Sequence, residues 1–211
     1  MVKIVPTILA RSQKDFLDRL VVLKKLRLAT AQLDIVDGKF TKPVTWLKPQ
    51  AVKNIAGFKW EVHLMVKNPM VYVQQWLAVK QVLKFIIHVE TLNQAKFLAL
   101  QELLQKNKRE FCLAINPQTN LIKIIPYLKQ QTKPLILVMS VAPGRGGQKF
   151  DPKQLARIMQ LRQLFPRAII EVDGGVKLEI TSKIVKAGVD ILAIGNYLDN
   201  QSRLSSLQLA K

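Results

Sequence analysis

The sequence predicts a single α/β domain built as a closed (β/α)8 TIM barrel of parallel strands, and three observations carry that prediction. Eight short apolar, β-branched runs recur along the chain: KIVPTIL, AQLDIV, FKWEVHL, LKFIIHV, FCLAIN, LILVMS, AIIEVD and VDILAIG. Their polar or turn ends fall near residues 7, 34, 63, 88, 116, 140, 173 and 195, a mean step of about 27 residues, which suits one strand and one crossover helix. The runs are continuously apolar, as parallel strands covered on both faces must be. Seven or nine such units would suit an open doubly wound sheet, whereas eight favour closure.

Each element has a local reason. After the first run, which ends at Thr7, Ser12 and Asp15 form a capping-box pattern ahead of Phe16, Leu20 and Leu23, which share one helical face. The second run closes on Asp34, and Asp37 is placed to support the turn at Gly38. The third ends in His63, the fourth in His88 and Glu90, and the fifth in Asn116. The sixth ends in Met139 and Ser140 and leads into PGRGGQKF; Asp151–Pro152 then gives an N-cap and a first-turn proline before Leu155, Ile158, Met159 and Arg162. The seventh ends in Asp173, followed by Gly174–Gly175, and the eighth in Gly195–Asn196. No linker or low-complexity stretch interrupts the beat, so residues 1–211 are expected to form one domain.

Composition narrows the function classes. An apolar fraction of 49% excludes a disordered chain, and no apolar run approaches the roughly 20 residues of a membrane-spanning helix, so no membrane partner is expected. One cysteine, Cys112, cannot form an internal disulfide, which points to a reduced, cytoplasmic protein. The 33 basic and 14 acidic residues give a net charge of +19, a field that attracts polyanions and phosphorylated ligands. The basic residues are spread rather than blocked, so any nucleic-acid contact is expected to be non-specific.

Barrel active sites lie at the C-terminal ends of the strands. Here every strand end carries a polar group or a glycine, and both histidines of the chain are among them. The glycines after strands seven and eight (Gly174, Gly175, Gly195, with Asn196) fall where such barrels commonly bind phosphate. PGRGGQKF, with Gly144, Arg145, Gly146 and Gly147, reads as a loop that closes over a ligand; it lacks the lysine–serine/threonine ending of a nucleotide P-loop. Asp34 and Asp173 approach the barrel mouth from different strands, which suits proton removal and re-delivery beside a carbonyl. A divalent metal between them would hold both ionised, with His63 as a nitrogen ligand.

These residues carry a family resemblance. The stretches PTIL, LDIVDG, EVHLMVKNP, HVET, LAINP, VMSVAPGRGGQKF, IEVDGGV and AGVDILAIGN, in this order from Pro6 to about Asn196, resemble ribulose-phosphate 3-epimerase. The resemblance implies interconversion of D-ribulose 5-phosphate and D-xylulose 5-phosphate at C3, with Asp34 and Asp173 as the acid/base pair around an enediolate. It implies one divalent metal ion (Zn, Mn, Fe or Mg) at Asp34, His63, Asp173 and Gln32. Thr7, His63, Met65, Met139 and the 144–147 loop would contact the phosphorylated ketose, and Gly174, Gly175, Gly195 and Asn196 the phosphate. A homo-oligomer is also expected.

The chain departs from that pattern in five places. Gln32 stands where the family has a histidine ligand, and Val36 where it has a methionine; KFTKP replaces an HFVPN-like stretch. Arg145 replaces an apolar loop residue, and Asn196 a phosphate-binding serine. A glutamine is a poorer partner than imidazole for zinc, so weaker binding or a harder metal is expected. Two alternatives follow: a catalytically decayed phosphate-binding barrel that holds polyanions, and an epimerase for another ketose phosphate such as allulose 6-phosphate. A decarboxylase or synthase of the orotidine-phosphate type needs Asp-x-Lys-x-x-Asp, and Asp34-Ile35-Val36-Asp37 has no lysine between its acids.

Overall fold

Each apolar run forms a strand, and the eight pair in parallel, in chain order, with the last returning to the first. The strands are β1 (Lys3–Ile8), β2 (Thr30–Val36), β3 (Lys59–Met65), β4 (Val82–His88), β5 (Glu110–Ile115), β6 (Leu135–Met139), β7 (Ile169–Asp173) and β8 (Ile191–Ile194). The closing pair sets Pro6 of β1 opposite Ile194 of β8. This computed structural model describes residues 2–195, so Asn196, read above as a phosphate ligand, lies outside the described residues.

Seven α-helices lie among the described residues: α1 (Gln13–Lys25), α2 (Pro49–Val52), α3 (Pro69–Trp76), α4 (Gln94–Lys106), α5 (Ile125–Leu128), α6 (Lys153–Leu164) and α7 (Leu178–Lys186). The predicted start of α1 is present. Ser12 Oγ accepts from Asp15 N at 3.1 Å, while Asp15 reaches back to Arg11 N rather than to Ser12 N. Phe16, Leu20 and Leu23 face the barrel as their spacing requires.

The start of α6 differs by one residue from the sequence reading. Pro152 is its N-cap, yet Asp151 still accepts from Lys153 N at 3.1 Å. Its buried stripe is Gln154, Ile158 and Leu161, and Met159 is 48% exposed. The Gln154 amide reaches Asp151 nearby and Pro117 O, 37 residues away, which fixes the helix phase with that polar residue inside. The crossovers after β2 and β5 hold α-helices of only four residues, shorter than the regular beat suggests.

Alternation along each strand divides the core in two. Outward side chains pack under the helices, where Phe16, Trp60, Trp76 and Phe97 are among the largest. Inward side chains fill the barrel, with an apolar layer from Ile86, Cys112, Ala114, Leu137 and Met139. Also buried, on β3, β4 and β7, is a charged group that the sequence reading missed. Lys84 Nζ lies 2.6 Å from both Glu61 Oε2 and Glu171 Oε2, and Lys3 Nζ lies 3.2 Å from Glu61 Oε1. Burial works against the charge on Lys84, but the two carboxylates hold its pKa above the ordinary lysine value.

Removing the ammonium strands two acids inside the barrel. Lys84→Met is expected to cost about 3–5 kcal/mol of unfolding free energy, measured from urea denaturation midpoints and slopes. A cost below about 1 kcal/mol would show that Glu61 and Glu171 do not depend on it.

Candidate active site

The period of two that builds the inner core also builds the site, because it repeats the inward direction up each strand. On β2 it points Gln32 and Asp34 inward; register then pairs Asp34 with His63 on β3, and Met139 on β6 with Asp173 on β7. All of these side chains are buried, from fully buried for Gln32 and His63 to 9% exposed for Asp173.

Four of them converge. Gln32 Nε2 donates to Asp34 Oδ1 at 2.9 Å and to Asp173 Oδ2 at 2.8 Å, and lies 3.3 Å from His63 Nδ1. His63 Nδ1 is in turn 3.1 Å from Asp34 Oδ1 and 3.6 Å from Asp173 Oδ2. Asp34, His63 and Asp173 each present one ligand atom, all within 4.8 Å of one another, so this buried group could hold a metal ion.

His88, which the sequence reading noted only as a strand end, extends the cluster. Its Nε2 is 2.9 Å from His63 Nε2, so one ring donates and the other accepts, and the rings stack with centroids 5.0 Å apart. On its other side, Nδ1 lies 3.4 Å from Glu90 Oε2, and Phe40 covers the ring. Glu90 is itself fixed by Asn116 N and the Thr119 hydroxyl.

Burial sets the proton affinities. Desolvation pushes Asp34 up to about 7 against the pull of the Gln32 hydrogen bond. It likewise pushes Asp173 up to about 7, with the Asp34 charge adding to the effect. Both histidines are pushed down to about 4, again by burial first, and are neutral at pH 7. Glu90 goes the other way: burial would raise it, but the approach of His88 and the hydrogen bonds from the Thr119 hydroxyl and the Asn116 amide hold it at about 2.

Above the cluster opens a cavity of about 410 Å³. Thr7, Asp34, Met65, Met139 and Asp173 line it from the strand ends. Gly144, Arg145, Gly146 and Gly147 line it from the loop after β6, and Gly174, Gly175 and Gly195 from the loops after β7 and β8. His63 and Gln32 do not reach it; they lie beneath its floor, fully buried. Gly175 has φ +60°, and a Cβ there would collide with the backbone of Lys149 and Phe150, so the turn after β7 and the end of the PGRGGQKF stretch require glycine for their close approach. Arg11, Asp15, Arg19 and Lys177 also line the cavity. The sequence reading missed them as site residues, having assigned Asp15 only a capping role; their signal was position, in the loops after β1 and β7 and on the first two turns of α1.

Residues 3–198 match the family model described as the ribulose-phosphate 3 epimerase family. The chain is 29% identical to the cytoplasmic isoform of ribulose-phosphate 3-epimerase from Oryza sativa subsp. japonica, over 93% of this chain and 86% of that one. It is 34% identical to ribulose-phosphate 3-epimerase from Candida glabrata, over 77% of this chain and 72% of that one. In fold it is similar to the crystal structure of 3-hexulose-6-phosphate synthase from Salmonella typhimurium, with a TM-score of 0.71 at 11% identity over 99% of each chain.

Asp37 has the supporting role its place before Gly38 suggested. Its Oδ1 accepts from Lys39 N and Phe40 N at 2.8 and 2.9 Å, and its Oδ2 from Lys67 N at 2.8 Å. Partial burial opposes ionisation, but the three amides hold the carboxyl below its usual pKa. A depressed carboxyl adds stability that is fully present above the unfolded pKa of about 4 and is lost as pH falls through the folded value. Asp37→Ala should therefore destabilise the protein by about 1–3 kcal/mol at pH 7, with the difference from wild type shrinking below about pH 4. Urea unfolding at pH 7, 5 and 3.5 measures this; a pH-independent difference would contradict it.

Proposed function

The chain belongs to the ribulose-phosphate 3-epimerase family, and from that membership we propose that it interconverts D-ribulose 5-phosphate and D-xylulose 5-phosphate by proton transfer at C3, with Asp34 and Asp173 as the acid/base pair. The observation that supports this reading is the convergence of two buried carboxylates, from strands on different sides of the barrel, at the floor of one cavity.

Proton transfer at a carbon beside a carbonyl needs a base on one face and an acid on the other. In this reading the ketose lies across the floor with C3 between the two carboxyls. One carboxylate takes the C3 proton and leaves an enediolate; the other, protonated, delivers a proton to the opposite face. Without an ion both carboxyls are raised to about 7, so near neutrality one can be ionised while the other keeps its proton. His63 and His88, neutral and fully buried, orient Asp34. Thr7, Met65 and Met139 shape the floor, and the 144–147 loop closes over the substrate to exclude water. The phosphate falls to Gly174, Gly175, Gly195 and Asn196, with Arg145 and Lys177 adding positive charge at the rim.

Asp34, His63 and Asp173 would hold the divalent ion of this reading; the donor set suits zinc, manganese, iron or magnesium. Bound there, the ion would stabilise the negative charge of the enediolate oxygens. The fourth position fits less well, because Gln32 presents an N–H donor to the group rather than a lone pair.

Asp34→Asn and Asp173→Asn should each lower kcat by roughly 10²–10⁴-fold in a coupled assay for xylulose 5-phosphate, with folding intact by circular dichroism. Retention of more than about a tenth of the rate by either variant would remove that residue from the pair. A panel that includes allulose 6-phosphate separates pentulose from hexulose phosphate as substrate. Gln32→His, which restores an imidazole lone pair, should bind Zn²⁺ at least about tenfold more tightly; unchanged affinity would place position 32 outside the cation group.

A further inference from the structure

The centre of the acid pair already has an occupant. Gln32 Nε2 lies 2.9 Å from Asp34 Oδ1, 2.8 Å from Asp173 Oδ2 and 3.3 Å from His63 Nδ1. These belong to the three side chains that would ligate a cation. A group within about 3 Å of all three stands where an ion would stand, since metal–ligand distances run to about 2.0–2.6 Å.

The chemistry of the amide explains the arrangement. Two facing carboxylates buried away from water need donors between them. The amide nitrogen brings two hydrogens, and the two shortest contacts take them. Its other end shows what this arrangement costs, because Gln32 Oε1 is buried with no hydrogen-bond donor. Turned over, the amide would set that oxygen's lone pairs against both carboxyls, an arrangement that an intervening cation would favour and two ionised carboxylates oppose.

We propose that Gln32 is a competitor of the cation and not its ligand. The amide and a divalent ion are alternative occupants of one position. Without an ion, Gln32 holds Asp34 and Asp173 together, with His63 bonded to Asp34 beside it; an ion enters only by displacing the amide. The protein therefore keeps an assembled site when metal-free and binds divalent ions weakly. This inference rests on the reading of Asp34, His63 and Asp173 as a cation group.

The competing accounts differ in sign. If Gln32 were a ligand, deleting its amide would weaken metal binding; if it is a competitor, deletion tightens it. Metal-stripped wild type, Gln32→Ala and Gln32→Met, the last keeping side-chain volume, are titrated with Mn²⁺ and free ion is read by electron paramagnetic resonance. Both variants are expected to bind Mn²⁺ about tenfold more tightly than wild type. Equal or weaker binding in both overturns the proposal, as does binding by none of the three proteins.

A second measurement needs no variant. In metal-free wild type the Gln32 side-chain NH₂ should give a nuclear magnetic resonance pair protected from hydrogen exchange, and saturating Zn²⁺ should shift that pair and remove its protection. A pair that stays protected and unmoved while Zn²⁺ binds overturns competition. Turnover is assayed separately: a protein that shows the competition but no epimerisation would count against the epimerase proposal alone.

Discussion

Two carboxyl groups buried inside a closed barrel must be neutralised or bonded by something the barrel itself supplies. That constraint organises the inside of this molecule. Asp34 and Asp173 face each other across the barrel, nearly out of reach of water. The strands around them supply the Gln32 amide, the His63 ring and, behind it, His88 and Glu90. The acid pair Glu61 and Glu171 meets the same demand differently, with Lys84 placed between them. One pair is closed by a fixed ammonium and is structural. The other is closed by an amide and a neutral imidazole, with no fixed cation, and opens onto a cavity. A group closed by weak donors beside an entrance is the one that can exchange protons with a ligand.

The barrel was legible in the sequence because burial on both faces leaves a plain mark. The eight apolar runs became the eight strands, and the ends of several, Thr7, Asp34, Met139 and Asp173 among them, line the cavity. Ser12 and Asp15 announced α1 through a short-range hydrogen-bond pattern that depends on nothing else in the fold. The phase of α6 was less legible, since a polar Gln154 took the inner face through contacts with Asp151 and with Pro117, which is distant in sequence.

Within the site, the residues at strand ends could be named, but their connections could not. Sequence places Gln32 two residues before Asp34, hence on the same face; that its nitrogen touches an acid 141 residues away depends on closure of the barrel. The Glu61–Lys84–Glu171 group went unread because its charges lie in mid-strand, below the polar strand ends that carry the site. The same period of two that pointed His63 and Asp173 inward also pointed Glu61 and Glu171 inward, two residues earlier. In a barrel whose inner layers carry chemistry, that rule outranks the usual preference of charges for water.

The account stands on Asp34 and Asp173 handling the proton at C3 of a ketose phosphate. The most direct measurement follows that proton. D-Ribulose 5-phosphate is incubated with the protein in D₂O, with each divalent ion in turn, and proton resonances of both ketoses are recorded. The account predicts that D-xylulose 5-phosphate appears with deuterium at C3, as solvent protons pass through the carboxyls. A C3 proton that stays in place under every condition, with no xylulose 5-phosphate formed, would contradict it.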